Sequence, residues 1–284
     1  MRTPRPRNIF AVLKQAARRY ADQDMSTYAS ALAFQAFFSI FPFLLFLVAL
    51  LAFLDLPQFF DWLKLQARLF VPGQAVDQVT QVIDQIRAPN GTLLSFGVAA
   101  AWWAASGGVR SAMTALTVCC GARETRPAWK RILLSLVLTL VLAAMLVAAA
   151  LLLTIGPNAA RWLTAWIGLD QQMALLWSWL RLPIWLLLLA LIIALIYWTA
   201  PDCRQRLSRL LPGALLALLT WVLASVGFGF YLSNFANYSA LYGSIGTIIA
   251  LLFYFSLSAS VLLYGAQVNA VMAQNAASQP GTRS

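Results

Sequence analysis

Six long apolar runs are the feature that most limits what this chain can fold into. Each run is about 20 residues long or longer, which is the length an α-helix needs to cross a hydrocarbon core roughly 30 Å thick. The runs lie at residues 29–54, 93–119, 132–155, 182–200, 210–232 and 241–272. The sequence therefore predicts an all-α integral membrane protein with six transmembrane helices.

The composition favours the same class of protein. Of the 284 residues, 61% are hydrophobic and 10% are charged, whereas a soluble domain averages about 25% charged residues. The net charge of +11 would point to nucleic acid in a soluble protein. Here the basic residues lie in short segments between apolar runs, which is the pattern of topology determinants. We therefore expect membrane lipids, and not nucleic acid, as partners.

The distribution of basic residues predicts the orientation of the chain. Fourteen of the twenty Lys and Arg residues lie in the N-terminal arm, the second-to-third and fourth-to-fifth connections and the tail. Five lie in the opposite connections, and Arg110 lies within a span. The positive-inside rule then places both termini in the cytoplasm. The three cysteines, Cys119, Cys120 and Cys203, fall on the same reducing side.

The segments outside the spans differ in character. Residues 1–28 form a basic arm, in which 8–19 is either an amphipathic helix on the membrane surface or a solvated segment. Residues 55–92 hold four aspartates, three basic residues and apolar residues at helical spacing. They predict a small external cap of two amphipathic helices. Residues 273–284 are small and polar, and we expect a disordered cytoplasmic tail.

The second run carries an arginine among alanines, glycines and tryptophans. Arg110 and Ser106 lie on one helix face, which is typical of a face turned towards other helices or a cavity. Counted from Leu93, Arg110 lies about 25 Å along the helix. It is therefore close enough to the cytoplasmic boundary for its guanidinium to snorkel. Both alternatives, a lipid or solute pathway and a boundary anchor, stay open.

Two further polar seams fall on the first and sixth runs. Gln35 and Ser39 lie close to one face of the first run, and four polar residues share one face of the sixth. With Arg110 and Ser106, these seams predict a groove for an anionic head group, and the alternative is ordinary helix packing. The four residues on the sixth run are Ser256, Ser260, Tyr264 and Gln267.

Several kinds of chemistry are not expected. The chain has no histidine, and none of its cysteines has metal-ligand spacing. Its nine acids are dispersed, and only Asp22 and Asp24 form a close cytoplasmic pair, which we interpret as helix-flanking charge. We therefore predict no enzyme activity, no cofactor and no metal, and consider ribonuclease activity unsupported. No acid lies within a span, so coupling to protons through a buried carboxylate is not expected.

Three stretches and their spacing resemble the YihY/BrkB family of bacterial inner-membrane proteins, formerly labelled ribonuclease BN. They are residues 28–53, residues 102–131 and residues 210–271, with YGSIG opening the sixth run. The resemblance implies a six-helix fold in the bacterial inner membrane. It also implies roles proposed in resistance to host killing and in the movement of lipids or small solutes, and it supplies no catalytic residue.

These observations favour a transporter or translocation factor for an anionic lipid or a small amphiphilic solute. The alternative is a structural or interaction protein of the cell envelope that works through the external cap. The oligomeric state stays open, with a homo-oligomer among the alternatives.

Reporter fusions test the predicted orientation. A fusion at Thr80, within the cap, is expected to be external, and a fusion at the C-terminus is expected to be cytoplasmic, because the basic residues lie mainly on that side. Activity of paired alkaline phosphatase and fluorescent protein fusions measures both positions. An external C-terminus would contradict the six-span arrangement.

Overall fold

The computed structural model describes residues 9–53, 91–154, 170–203, 209–235 and 238–277. Seven α-helices and no strand are present in these ranges. The helices are α1 (Ile9–Asp22), α2 (Met25–Phe53), α3 (Gly91–Cys119), α4 (Ala128–Thr154), α5 (Asp170–Thr199), α6 (Leu211–Phe235) and α7 (Tyr238–Ala277). The prediction of an all-helical fold is confirmed for this part of the chain.

Helices α2 to α7 contain almost all of the six apolar runs. Four of the described helices are long and apolar enough to cross a membrane, namely α4, α5, α6 and α7. The corresponding segments are Ala128–Ala149, Trp179–Thr199, Leu211–Ser233 and Ile248–Asn275. Helices α2 and α3 are each 29 residues long. The count of six spans and the orientation of the termini stay predictions.

The largest differences from the predicted helix boundaries are at the start of α5 and the end of α7. Helix α5 begins at Asp170 rather than near 182, and Pro183 lies inside it. Proline removes one backbone donor, but a membrane helix tolerates this where local geometry or neighbours satisfy the freed carbonyl. Helix α7 continues to Ala277, past the predicted end at Met272. Its extension is held by Gln274, whose Oε1 accepts a hydrogen bond from Arg19 Nη1 at 2.5 Å.

Two predicted segments fall mainly outside the described ranges. Of the predicted cap at 55–92, only the last two positions are described, and they lie at the start of α3. Of the predicted tail at 273–284, residues 278–284 lie outside the described part of the chain.

The chain forms two compact units, and α2 and α3 each contribute to both. One unit comprises Met1–Phe34 and Val109–Ser284, and the other comprises Gln35–Gly108. In the first unit, α4 packs on α5, α5 on α6, and α6 on α7. Its core contains Met113, Leu116 and Leu263 among other buried side chains.

The N-terminal arm is docked on the last helix. Ala16 of α1 is fully buried in a cluster with Val268 and Val271 of α7. The Tyr264 hydroxyl donates to the Leu13 carbonyl oxygen at 3.1 Å. Residues 9–22 of the arm are therefore helical, and the face that carries Ala16 packs on α7. The predicted place of this helix on the membrane surface stays a prediction.

Helices α6 and α7 are in close backbone contact at two glycines, Gly213 and Gly265. A Cβ atom placed on Gly265 would lie 2.6 Å from the Gly213 carbonyl oxygen and 2.6 Å from the Tyr197 hydroxyl. Next to this contact, Asn269 accepts a hydrogen bond from Gly213 N–H and donates one to the Leu210 carbonyl oxygen, both at 2.9 Å. Asn269 thus satisfies the Gly213 N–H, which the first turn of α6 leaves unpaired, and adds a second hydrogen bond to the Leu210 carbonyl oxygen, which also accepts one from the Ala214 N–H.

Substitution of these glycines tests the close contact. Gly265→Ala is expected to lower the free energy of unfolding by about 1–3 kcal/mol, because the methyl group overlaps backbone that cannot move aside cheaply. Gly227→Ala is the matched control, since a Cβ there meets no atom within 4 Å. Denaturation in detergent measures both variants. Equal stability of the two variants would contradict the contact.

Candidate functional site

Two arginines on neighbouring helices meet in the first unit. Arg110 Nη1 of α3 donates to the Ser135 hydroxyl of α4 at 3.3 Å. Arg131 Nη2 of α4 donates back to Thr114 Oγ1 at 2.5 Å and to the Arg110 carbonyl oxygen at 3.2 Å. We call Arg110, Thr114, Arg131 and Ser135 the arginine seam. In it, each of two arginines bonds from its own helix to the other helix.

The seam lies within the helices and not in the connection between them. Arg110 precedes the end of α3 at Cys119 by nine residues, and Ser135 follows the start of α4 at Ala128 by seven. At 1.5 Å per residue, the Arg110–Ser135 contact is about two helical turns inside the helix ends, and Arg131 lies in the first turn of α4. Ser135 is fully buried. The Arg110 guanidinium is therefore held against a neighbouring helix.

One donor of the seam meets no acceptor. Arg131 Nε is buried and has no hydrogen-bond partner among the described residues. An unsatisfied buried donor costs free energy, so an additional acceptor oxygen at this position would be favoured. Guanidinium groups bind phosphate and carboxylate oxygens through parallel N–H donors. The seam therefore has the chemistry to bind an oxyanion.

The polar face predicted on α7 is used mainly within the fold. Ser260 donates to the Ser256 carbonyl oxygen of its own helix at 2.8 Å, and Tyr264 contacts the N-terminal arm as described above. Gln267 is fully buried, and its Nε2 donates to Gln23 Oε1 at 2.5 Å. Its Oε1 has no partner among the described residues. Tyr264 and Gln267, the two C-terminal residues of this face, therefore contact the N-terminal arm.

The remaining predicted site residues belong to the second unit. Gln35 Nε2 of α2 donates to the Ala104 carbonyl oxygen of α3 at 3.2 Å. Ser39 donates to the Ala36 carbonyl oxygen and Ser106 to the Trp103 carbonyl oxygen, both at 2.7 Å within their own helices. The contact of Gln35 is that of helix packing. The joint groove predicted for Arg110 and the two seams stays a prediction.

Sequence reasoning missed Thr114, Arg131 and Ser135 as partners of Arg110. Arg131 was assigned to a basic connection, although α4 already begins at Ala128. The available signal was the spacing of Arg131, Ser135 and Thr139 at i, i+4 and i+8, which places three polar residues on one face of an apolar helix.

The α3–α4 and α5–α6 connections of the first unit also contact each other. Asp202, between α5 and α6, accepts hydrogen bonds at Oδ2 from the Thr125 hydroxyl at 2.5 Å and the Thr125 backbone N–H at 2.8 Å. Arg126 Nε lies 3.3 Å from Asp202 Oδ1. The two hydrogen bonds from Thr125, with Arg126 nearby, hold the pKa of Asp202 below its usual value. Asp202 is therefore ionised at neutral pH and joins the two connections.

The acids near the arm have a local structural role. Asp24 accepts hydrogen bonds from the Ser26 and Thr27 hydroxyls at 3.2 and 2.7 Å at the start of α2. Within the described ranges, no group of three or more His, Cys, Asp or Glu residues is arranged to hold a metal ion. The carboxylate of Asp24 is thus occupied by the turn that begins α2.

Comparison with known proteins agrees with a membrane protein. The family model described as virulence factor BrkB matches residues 16–284. A protein named as ribonuclease-like protein YfkH, from Bacillus subtilis (strain 168), is 33% identical over 261 residues, which are 92% of this chain and 94% of that protein.

Shorter matches connect the chain to other membrane proteins. A UPF0761 membrane protein of Aeromonas salmonicida (strain A449) is 39% identical over 80 residues, 28% of each chain. One of Xanthomonas campestris pv. campestris (strain B100) is 41% identical over 80 residues, 28% of this chain and 19% of that protein. No solved structure matches the chain. Because the family model covers residues 16–284 and YfkH aligns along almost its full length, the chain belongs to the virulence factor BrkB family.

Proposed function

We propose that the chain binds the anionic head group of a membrane lipid or small amphiphile at the arginine seam and moves it within or across the membrane. The observation that carries this proposal is the meeting of Arg110 and Arg131 inside α3 and α4. Arg110 lies about two and a half turns inside α3, and a guanidinium within a membrane helix costs several kcal/mol unless partners or water stabilise it. Two of them on adjacent helices favour a ligand that brings negative charge.

The start of α4 has features of the head-group level of a membrane. Leu133, Val137 and Leu140 follow each other at helical spacing on α4, and all three are exposed. At 100° per residue they lie on the face of α4 opposite to Arg131 and Ser135, so they offer an apolar surface to lipid and do not line the seam. Trp129 is exposed at the start of α4, with Lys130 Nζ 5.3 Å from its ring centroid. Tryptophan and lysine together are typical of the head-group level.

Energy coupling through a buried acid is not part of the proposal. None of the six apolar runs contains Asp or Glu, and the chain has no histidine. Uniport, coupling to sodium through hydroxyl and carbonyl oxygens, and passive lipid movement agree with this sequence.

We place the chain in the bacterial inner membrane with six spans and both termini in the cytoplasm. Parity supports six rather than five spans. The arm contacts the end of α7 through Arg19 and Gln274, so the chain crosses the membrane an even number of times between them. Since α4 to α7 provide four candidate spans, α2 and α3 either both cross or both do not. Each has 29 residues, about 43 Å of helix, which is enough to cross.

Arg110 variants test the head-group proposal. Arg110→Lys keeps the charge but loses the planar fork, so we expect the affinity for an anionic phospholipid to fall by about 10-fold or more. Arg110→Gln is expected to lose about 100-fold, since a charge-assisted hydrogen bond contributes roughly 1.5–3 kcal/mol. Native mass spectrometry with anionic and zwitterionic phospholipids measures the affinity, with a thermal melt to verify folding.

The matched control is Arg123→Gln, which removes one charge from an exposed position in the α3–α4 connection. It is expected to bind lipid like the unmodified chain. Normal anionic lipid binding by Arg110→Gln, with normal folding, would leave Arg110 as a boundary anchor and remove the proposal.

We further predict that the purified chain has no intrinsic ribonuclease activity, although its relative YfkH is named as ribonuclease-like. The reason is the lack of histidine and the dispersal of the acids. The measurement is RNA cleavage across the fractions of a size-exclusion run. Activity that follows the protein peak and disappears in an Asp22→Asn, Asp24→Asn variant would contradict the prediction.

A further inference from the structure

Two of the three cysteines are joined by a disulfide where the α3–α4 and α5–α6 connections meet. Cys120 directly follows α3, and Cys203 lies between α5 and α6. The two residues form a disulfide, with their Cα atoms 6.6 Å apart and 83 positions apart in sequence. This Cα separation lies within the range of about 4.4–6.8 Å that disulfides span. The third cysteine, Cys119, is a buried free thiol.

Non-covalent contacts hold the same two segments together. The Asp202 backbone N–H donates to Thr117 Oγ1 of α3 at 3.0 Å. Arg126 Nη2 donates to the Pro201 carbonyl oxygen at 2.7 Å, and Thr125 bonds to Asp202 as described above. These contacts do not need the sulfur–sulfur bond. Cys120 and Cys203 therefore stay close to each other when both are reduced.

A cavity gives small molecules access to one of the sulfurs. It has a volume of about 580 Å³ and is lined by Arg126, Trp198, Asp202 and Cys203, among others. Pockets of roughly 300–1,000 Å³ accommodate small organic ligands. Cys203 can thus meet a small disulfide, whereas Cys119, only 1% exposed, is enclosed in the core.

We propose that Cys120 and Cys203 form a reversible thiol–disulfide switch that responds to small-molecule disulfides. The Cys203 thiolate attacks a small disulfide RSSR, forms a mixed disulfide and releases one thiolate RS⁻. The Cys120 thiolate then attacks the Cys203 sulfur, forms the protein disulfide and releases the second RS⁻. Two protein thiols are oxidised and one RSSR is reduced to two thiols, and an excess of RSH reverses both steps.

The disulfide would link two segments of the chain that are otherwise held only by hydrogen bonds and ion pairs. It adds a covalent bond between the end of α3, the helix that carries Arg110, and the α5–α6 connection. In a reducing cytoplasm most disulfides are transient or redox-sensing, which agrees with a switch on the side predicted to be cytoplasmic. The switch does not depend on the proposed lipid function and is tested without it.

Counting free thiols in cells tests the switch. Cells expressing the full chain are quenched in acid, denatured and treated with a maleimide-polyethylene glycol that adds one mass step per thiol. We expect three steps in unstressed cells, since the chain has three cysteines, and one step after exposure to the thiol oxidant diamide. Three steps should return after the oxidant is removed. One step under all conditions would mean a permanent disulfide, and three steps under all conditions would mean no disulfide; either result overturns the switch.

Single variants identify the pair. Cys203→Ser should show two steps with and without oxidant, and Cys119→Ala should change from two steps to none. Peptide mapping of the unmodified chain after oxidation is the second measurement, and it does not depend on how the variants fold. A peptide linking Cys119 to either other cysteine, in place of Cys120 to Cys203, would overturn the assignment.

Discussion

The close contact between Gly213 and Gly265 is the constraint on which the rest of the first unit depends. In lipid, apolar side chains gain little from leaving the hydrocarbon, so helices associate through close packing and interhelical hydrogen bonds. The two glycines let α6 and α7 approach, and Asn269 bonds to the first turn of α6 across that contact. Tyr197 adds α5 by donating to the Leu262 carbonyl oxygen at 2.5 Å. Three helices thus meet at one point, and α1 and α4 pack around them.

Only some of the polar side chains in the spans join different helices. Thr139 and Ser260 donate to carbonyl oxygens of their own helices, which satisfies the hydroxyl without a neighbour. Trp221, in contrast, donates to Ser258 across α6 and α7 at 3.1 Å. A hydroxyl side chain in a span therefore does not by itself indicate a functional site, because its hydrogen-bond partner can be a carbonyl oxygen of its own helix. The arginine seam differs because a guanidinium has five donors and cannot be satisfied by one helical turn.

The sequence predicted the helices well and their partners poorly. Apolar runs determine where helices lie, because a lipid-crossing backbone must bond internally, and this local rule needs no knowledge of neighbours. The ends of α5 and α7 were missed because they depend on Pro183 being tolerated and on Arg19 bonding to Gln274. The partner of Arg110 was missed for a similar reason. Which face of α3 meets α4 is a tertiary property, and helical spacing alone leaves a polar face with several possible neighbours.

The last turns of α3 carry the contacts that fix the arginine seam. Cys119 ends the helix, and its carbonyl oxygen accepts a hydrogen bond from Arg19 of the arm at 3.3 Å. Thr117 accepts one from the α5–α6 connection, and Thr114 one from Arg131. These contacts lie within about one and a half helical turns, so a helix rotated or shifted at this end would move Arg110 away from Ser135. The positions of the Arg110 and Arg131 side chains therefore depend on how the arm and the connections pack against α3. Residues within the apolar runs do not determine these positions alone.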